Sequence, residues 1–238
     1  EPSIKSIDIY NESTLITTTK NLKNNTYLSA KVAHTGSSFY YIKVHFKRQV
    51  HFPLTVTSSI NFKELNNSNY LKRGLYYGAV FVILLLNFAF FISLKDKTFL
   101  YYFLFLLSTN VGFSGFDGTF NLILFINNSD TLVILSHYLV AVFGAIFASK
   151  FLNIQTTFPK VHKVGMFFLI IPFLCYFLFF ITNQFMYAAL GDLFGMIILT
   201  YYWFIGVYFL KKHQYALFFV IGYSMVLFAA LFYLIPLN

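Results

Sequence analysis

Asp192 is the single carboxylate inside a long apolar run, 185–210. A carboxylate withdrawn from water is costly, so it must reach a water-filled cavity, take up a proton or meet a partner. His137 stands six residues into another apolar run, 131–148, at a comparable distance from its start. With Asp117, in the polar segment that precedes that run, these residues predict an outward-facing polar pocket that binds a ligand or relays its effect. The competing expectation is that Asp192 meets interfacial water or caps a helix start after Gly191, and that His137 satisfies a neighbouring carbonyl. Asn87 and Asn110 are expected to make hydrogen bonds between helices, which contribute about 0.6 kcal/mol each on average in a membrane.

Other chemistry finds little support. The histidines His34, His45, His51, His137, His162 and His213 are scattered, with no H-E-x-x-H pattern and no i, i+4 pair, so no metal site is expected. No glycine-rich phosphate-binding motif is present, and no cofactor is expected. Cys175 is the only cysteine, so no disulfide can form within the chain. Ser114, in Gly112-Phe113-Ser114-Gly115, would need a base and oxyanion donors to act as a nucleophile. The motif resembles the serine motif of intramembrane rhomboid proteases, with His137 as the imagined base. It lies where a helix leaves the membrane, however, and Phe116 stands where G-x-S-x-G requires glycine. No enzyme activity is expected within these residues.

The elements that carry these side chains follow from solvent preference. The chain is 58% hydrophobic and only 11% charged, against about 25% charged in soluble domains. Ten of its seventeen basic residues lie before Gly74. The remaining lysines sit singly or in pairs between apolar runs, which argues against a nucleic-acid surface and for the cytoplasmic side of a membrane. The expected architecture is therefore an all-α membrane domain over 74–238, preceded by a β-rich segment over 1–73. Its helices are expected at about 74–94, 99–116, 131–148, 164–181, 185–210 and 215–237, lengths that bracket the roughly 20 residues needed to span a bilayer. Gly144, Gly191, Gly195, Gly206 and Gly222 are expected to let these helices approach closely. Strands are expected at Ser6–Tyr10, Phe39–Lys47 and Phe52–Ser58, where polar and apolar residues alternate. Tyr41, Lys43, His45 and Lys47 would share one face of the second strand, and Tyr40, Ile42, Val44 and Phe46 the other. So few strands make a poor core alone, and they are expected to end a larger extracytoplasmic β-sandwich.

Orientation follows from the joining segments. Lys95 and Lys97 follow the first helix, Lys150, Lys160 and Lys163 the third, and Lys211 and Lys212 the fifth; the segments after the second and fourth helices carry no Lys or Arg. The positive-inside rule then places residues 1–73 outside the cytoplasm, although Lys72 and Arg73 adjoin the proposed outer end of the first helix.

Several motifs occur in a recognisable order: Gly74-Leu75-Tyr76-Tyr77-Gly78, Asn87, Leu94-Lys95-Asp96-Lys97, Tyr101-Tyr102-Phe103-Leu104, Gly115-Phe116-Asp117-Gly118, Phe151-Leu152-Asn153-Ile154 with Pro159, and Tyr233-Leu234-Ile235-Pro236. Over residues 74–238 the chain resembles the bacterial seven-transmembrane receptors with diverse intracellular signalling modules. The resemblance implies a multi-pass protein of the bacterial inner membrane with a periplasmic ectodomain that takes carbohydrate or another small molecule. It also implies a seventh helix leading to a cytoplasmic output module such as a histidine kinase, a link to two-component systems. Six helices and no such module are seen here, so the chain reads as a truncated six-helix part of the receptor. A homodimer is a further expectation, and a small-molecule transporter is the rival function. Transporters show internal repeats and midplane charges; no repeat is seen here and Asp192 lies off the middle.

Overall fold

The computed structural model describes residues 4–11, 14–18, 39–46, 57–116, 119, 129–211 and 213–234. It divides into two units, one of Glu1–Lys72 with Val111–Val133, the other of Arg73–Asn110 with Ile134–Asn238.

In the first unit, β1 (Ile4–Asn11), β2 (Thr14–Thr18) and β3 (Tyr40–Phe46) form an antiparallel sheet in the order β2-β1-β3. The register pairs Ile7 with Val44, Ile9 with Ile42 and Tyr10 with Tyr41. Such apolar and aromatic cross-strand pairs are the unit of sheet stability. Tyr40, Ile42 and Val44 are partly buried while Tyr41, Lys43 and His45 are exposed, the alternation expected from the sequence. The Thr18 hydroxyl donates to Asp8 Oδ1 at 2.5 Å, fastening β2 to β1. β2 was not expected, because five residues hold too little alternation to register. Most of the strand expected at Phe52–Ser58 lies outside the described residues. Its last two residues belong to no strand: Ser58 caps a helix, its Oγ accepting from the Asn61 N–H at 3.2 Å.

That helix, α1 (Ser59–Leu94), begins well before the apolar run expected at 74–94. No glycine or proline interrupts 59–73, so the polar residues there extend the helix instead of ending it. It stops at Lys95, whose φ of 53° is left-handed, and Asp96 starts α2 (Lys97–Phe116) by accepting from the Thr98 N–H at 2.8 Å. Near the end of α2, Gly115 lies so close to Val133 that a Cβ would collide with it.

Next come α3 (Ser129–Phe151), which enters the second unit at Ile134, and then, within that unit, α4 (Ile154–Thr157), α5 (Pro159–Phe168), α6 (Ile170–Thr182), α7 (Phe185–Phe209) and α8 (Ala216–Leu234). The single helix expected at 164–181 starts earlier, at Pro159, and is broken at Leu169. Pro172 has no N–H to donate and its ring crowds the carbonyl four residues back, so the ladder yields one turn earlier. The Leu169 N–H accordingly reaches Met166 O, at 3.3 Å.

The core of this unit gathers around the small residues of α3. Ala141, Ala145 and Ala148 are buried on one face, together with Phe105, Leu199, Tyr202, Phe219 and Tyr223. A Cβ on Gly144 would stand 2.8 Å from Leu199 and 2.9 Å from the Tyr223 hydroxyl, so glycine is required there. The same hydroxyl donates to Gly144 O. Gly191 and Gly206 also admit close neighbours, whereas Gly222 has open space around it. The Trp203 indole N–H donates to Ser224 Oγ at 2.8 Å, tying α7 to α8.

Among the described residues, four helices are long and apolar enough to cross a membrane: Ser59–Leu94, Thr131–Phe151, Pro159–Thr182 and Phe185–Phe209. Ala216–Phe228 is a shorter apolar stretch. Large apolar side chains such as Phe81, Phe167, Phe204 and Phe218 stand exposed on these helices, as a lipid solvent allows and water does not. The protein is mostly helical, with a small three-stranded sheet.

Candidate functional site

Three helices of the second unit converge on one carboxylate. Asp192 is the eighth residue of α7, His137 the ninth of α3, and Tyr176 the seventh of α6. At 1.5 Å per residue, each stands roughly 9–12 Å from the helix end on the side of the Lys-free segments. The equal depth has a local origin. Asn183, left-handed at φ 54°, ends α6, and its N–H donates to Phe179 O at 2.8 Å. The antiparallel return from this turn sets residues equidistant from it side by side, so Tyr176 faces Gly191 and Asp192. Gly191 completes the fit, since a Cβ there would lie 2.8 Å from the Tyr176 ring.

His137 Nδ1 lies 2.8 Å from Asp192 Oδ1, and the Tyr176 hydroxyl donates to the same oxygen at 2.6 Å. The His137 and Asp192 side chains retain 20% and 15% of their exposure, so the pair is half-buried rather than sealed. At that distance the two groups share a hydrogen bond, whose donor is either the ring Nδ1–H or the carboxyl of Asp192 according to the tautomer. Ile134, Tyr176, Phe179 and Ala188 form the buried apolar shell around this cluster, with Tyr138 and Tyr187 packed against it. The Tyr138 ring meets that of Tyr176 edge-on at 5.8 Å.

His137 and Asp192 were both expected from the sequence, and the structure brings them together. Asp117 lies outside the described residues. Tyr176 was missed, because one tyrosine among eighteen carries no signal by itself. Folding 170–209 as a hairpin about Asn183 would have pointed to it. The structure gives Asn87 and Asn110 bonds within their own helices: the Asn87 amide donates to Ile83 O and that of Asn110 to Leu106 O, each at 2.8 Å. An amide in apolar surroundings reaches the nearest open acceptor, which is the carbonyl one turn back. Asn110 Oδ1 is buried without a partner among the described residues. Ser114 donates to Val111 O at 3.0 Å. Among the described residues no group of three or more His, Cys, Asp or Glu is placed to hold a metal ion.

A second polar tie joins the opposite ends of these helices. Ser149 Oγ and His162 Nδ1 are 2.7 Å apart, linking α3 to α5. The Tyr201 hydroxyl of α7 donates to Val161 O at 3.0 Å. The span broken at Leu169 is thus held on both sides of its break, by Tyr176 above and by His162 and Val161 below.

The family model for 7TM diverse intracellular signalling matches residues 69–238. The chain belongs to that family. Membership in 7TM diverse intracellular signalling makes it a multi-pass membrane protein of a sensory class, in keeping with the apolar helices and the lysine distribution. No match was found among curated proteins or among solved structures.

Proposed function

We propose that the chain is the sensing and relaying part of a bacterial inner-membrane receptor. Residues 1–73 form the end of a periplasmic β-sandwich that takes carbohydrate or another small ligand. Residues 74–238 supply six helices of a seven-helix bundle that passes the signal to a cytoplasmic output module, and a homodimer is the assembly in which the output acts. The orientation rests on the lysines: seven lie in the segments assigned to the cytoplasm and no Lys or Arg lies between helices on the other side. On this reading no catalysis occurs within these residues.

The observation that carries the proposal is the convergence of α3, α6 and α7 on Asp192. A receptor must hold two arrangements of its helices close in free energy, and a ligand shifts them only by differential affinity. Polar ties on either side of a broken span suit such a relay, because breaking one leaves the other as a pivot. Asp117, His137 and Asp192 are the residues proposed to line its outer pocket.

The test is a chimera that joins the helical domain to a reporter histidine kinase in a bacterial inner membrane. Basal kinase output should differ between the parent and the Asp192→Asn and His137→Ala variants at equal expression. Unchanged output in both would remove the pocket from the relay. Stimulus-independent output accompanied by small-molecule uptake into vesicles would instead favour a transporter.

A further inference from the structure

We propose that the His137–Asp192–Tyr176 cluster is a proton-operated latch, so that the receptor also responds to the pH of the extracytoplasmic water. The inference deepens the receptor reading and rests on it for the side of the membrane that the cluster faces. Its foundation is geometric. His137 Nδ1 faces Asp192 Oδ1 at 2.8 Å, and the Tyr176 hydroxyl at 2.6 Å donates to the same oxygen. With two titratable protons shared by His137 and Asp192, the cluster is neutral as a whole, either as imidazolium and carboxylate or as neutral ring and acid. When one of them leaves to water, neutral ring and carboxylate together carry a full negative charge beside the apolar cluster of Ile134, Phe179 and Ala188. Such a charge is costly in low-dielectric surroundings and is relieved when water enters between the helices. The loaded cluster therefore holds α3, α6 and α7 together, and the unloaded one releases them.

Among the described residues, the apolar shell beside the pair is flanked by Tyr138 of α3 and Tyr187 of α7, both ordinarily neutral near pH 7. On α6, Cys175 adjoins Tyr176, and no Asp, Glu, Lys or Arg occurs in that helix. On α7, Asp192 is the only such residue, and on α3 the others are Asp130, seven residues before His137, and Lys150, thirteen after it. The remaining exposure of the pair provides a path for the proton. Histidine is the side chain suited to such exchange between about pH 5 and 8.

The experiment places spin labels at Leu135→Cys on α3 and Leu193→Cys on α7, both exposed positions, with Cys175→Ser. The full chain is held in lipid nanodiscs and the inter-label distance is measured from about pH 5 to about pH 8. Two distance populations are expected, their ratio changing by close to tenfold per pH unit around the midpoint, the slope of one proton. The double variant His137→Gln with Asp192→Asn should be flat. Tyr176→Phe removes a donor but not the exchanged proton, so it should keep the slope and move the midpoint to lower pH. A parent whose distances ignore pH, a double variant with the parental slope, or an unmoved midpoint in Tyr176→Phe would overturn the latch. A reporter chimera that responds to its stimulus while the parental distances ignore pH would remove the latch and leave the receptor reading standing.

Discussion

Replacing Tyr176 by phenylalanine removes the hydroxyl that donates to Asp192. The ring is 4% exposed and packs against Gly191 and Tyr138, and phenylalanine keeps those contacts. What is lost is the 2.6 Å donation to Asp192, leaving that carboxylate with the His137 contact alone. Hydrogen bonds to charged groups contribute about 1.5–3 kcal/mol in proteins generally. Those between membrane helices average about 0.6 kcal/mol and reach about 1.7. The short distance and the acidic acceptor put this bond near the top of the membrane range, so Tyr176→Phe should cost about 1–2 kcal/mol, roughly a 5- to 30-fold shift in the unfolding equilibrium. Reversible unfolding in bicelles, run as a double-mutant cycle with Asp192→Asn, measures the coupling directly. A coupling below about 0.3 kcal/mol, within the additivity expected of independent sites, would refute the argument that Tyr176 acts through Asp192.

Gly144→Ala should destabilise by about 1–3 kcal/mol, since the new methyl must displace Leu199, Tyr223 and Phe105 together, whereas Gly222→Ala, with open space around it, should change the same unfolding measurement little. Asn183→Ala, at a left-handed φ of 54°, should cost about 1 kcal/mol and loosen the α6–α7 turn, visible as faster amide exchange at 183–187. Ser149→Ala should weaken the α3–α5 tie by about 1 kcal/mol while leaving the His137–Asp192 distance unchanged, which paired spin labels would show. In a Cys175→Ser background, Asn128→Cys should react with a membrane-impermeant thiol reagent added outside cells and Lys211→Cys should not; labelling of both from one side would break the assigned orientation.

Much of this protein is legible in one dimension because its solvent changes along the chain. Lipid demands long uninterrupted apolar helices, so Thr131–Phe151 and Phe185–Phe209 stand close to where the apolar runs put them. The strand alternation at Tyr40–His45 is equally local, since one side of a half-buried strand must be apolar. Even His137 and Asp192 announce themselves, as polar groups are rare in such runs. Composition alone, by contrast, hides the polar first turns of α1, whose helical state depends on the Ser58 cap and the lack of breakers rather than on hydropathy.

Tertiary structure decided which polar groups meet. Tyr176 joins Asp192 only because Asn183 reverses the chain and Gly191 removes the side chain that would hold the rings apart. The Asn87 and Asn110 amides bond to the backbone carbonyl one turn back in their own helices. The break at Leu169 depends on Pro172 within a helix otherwise apolar enough to run straight. Hydropathy acts residue by residue and can be read from order alone, but a hydrogen bond between helices depends on rotation and depth, which only packing sets.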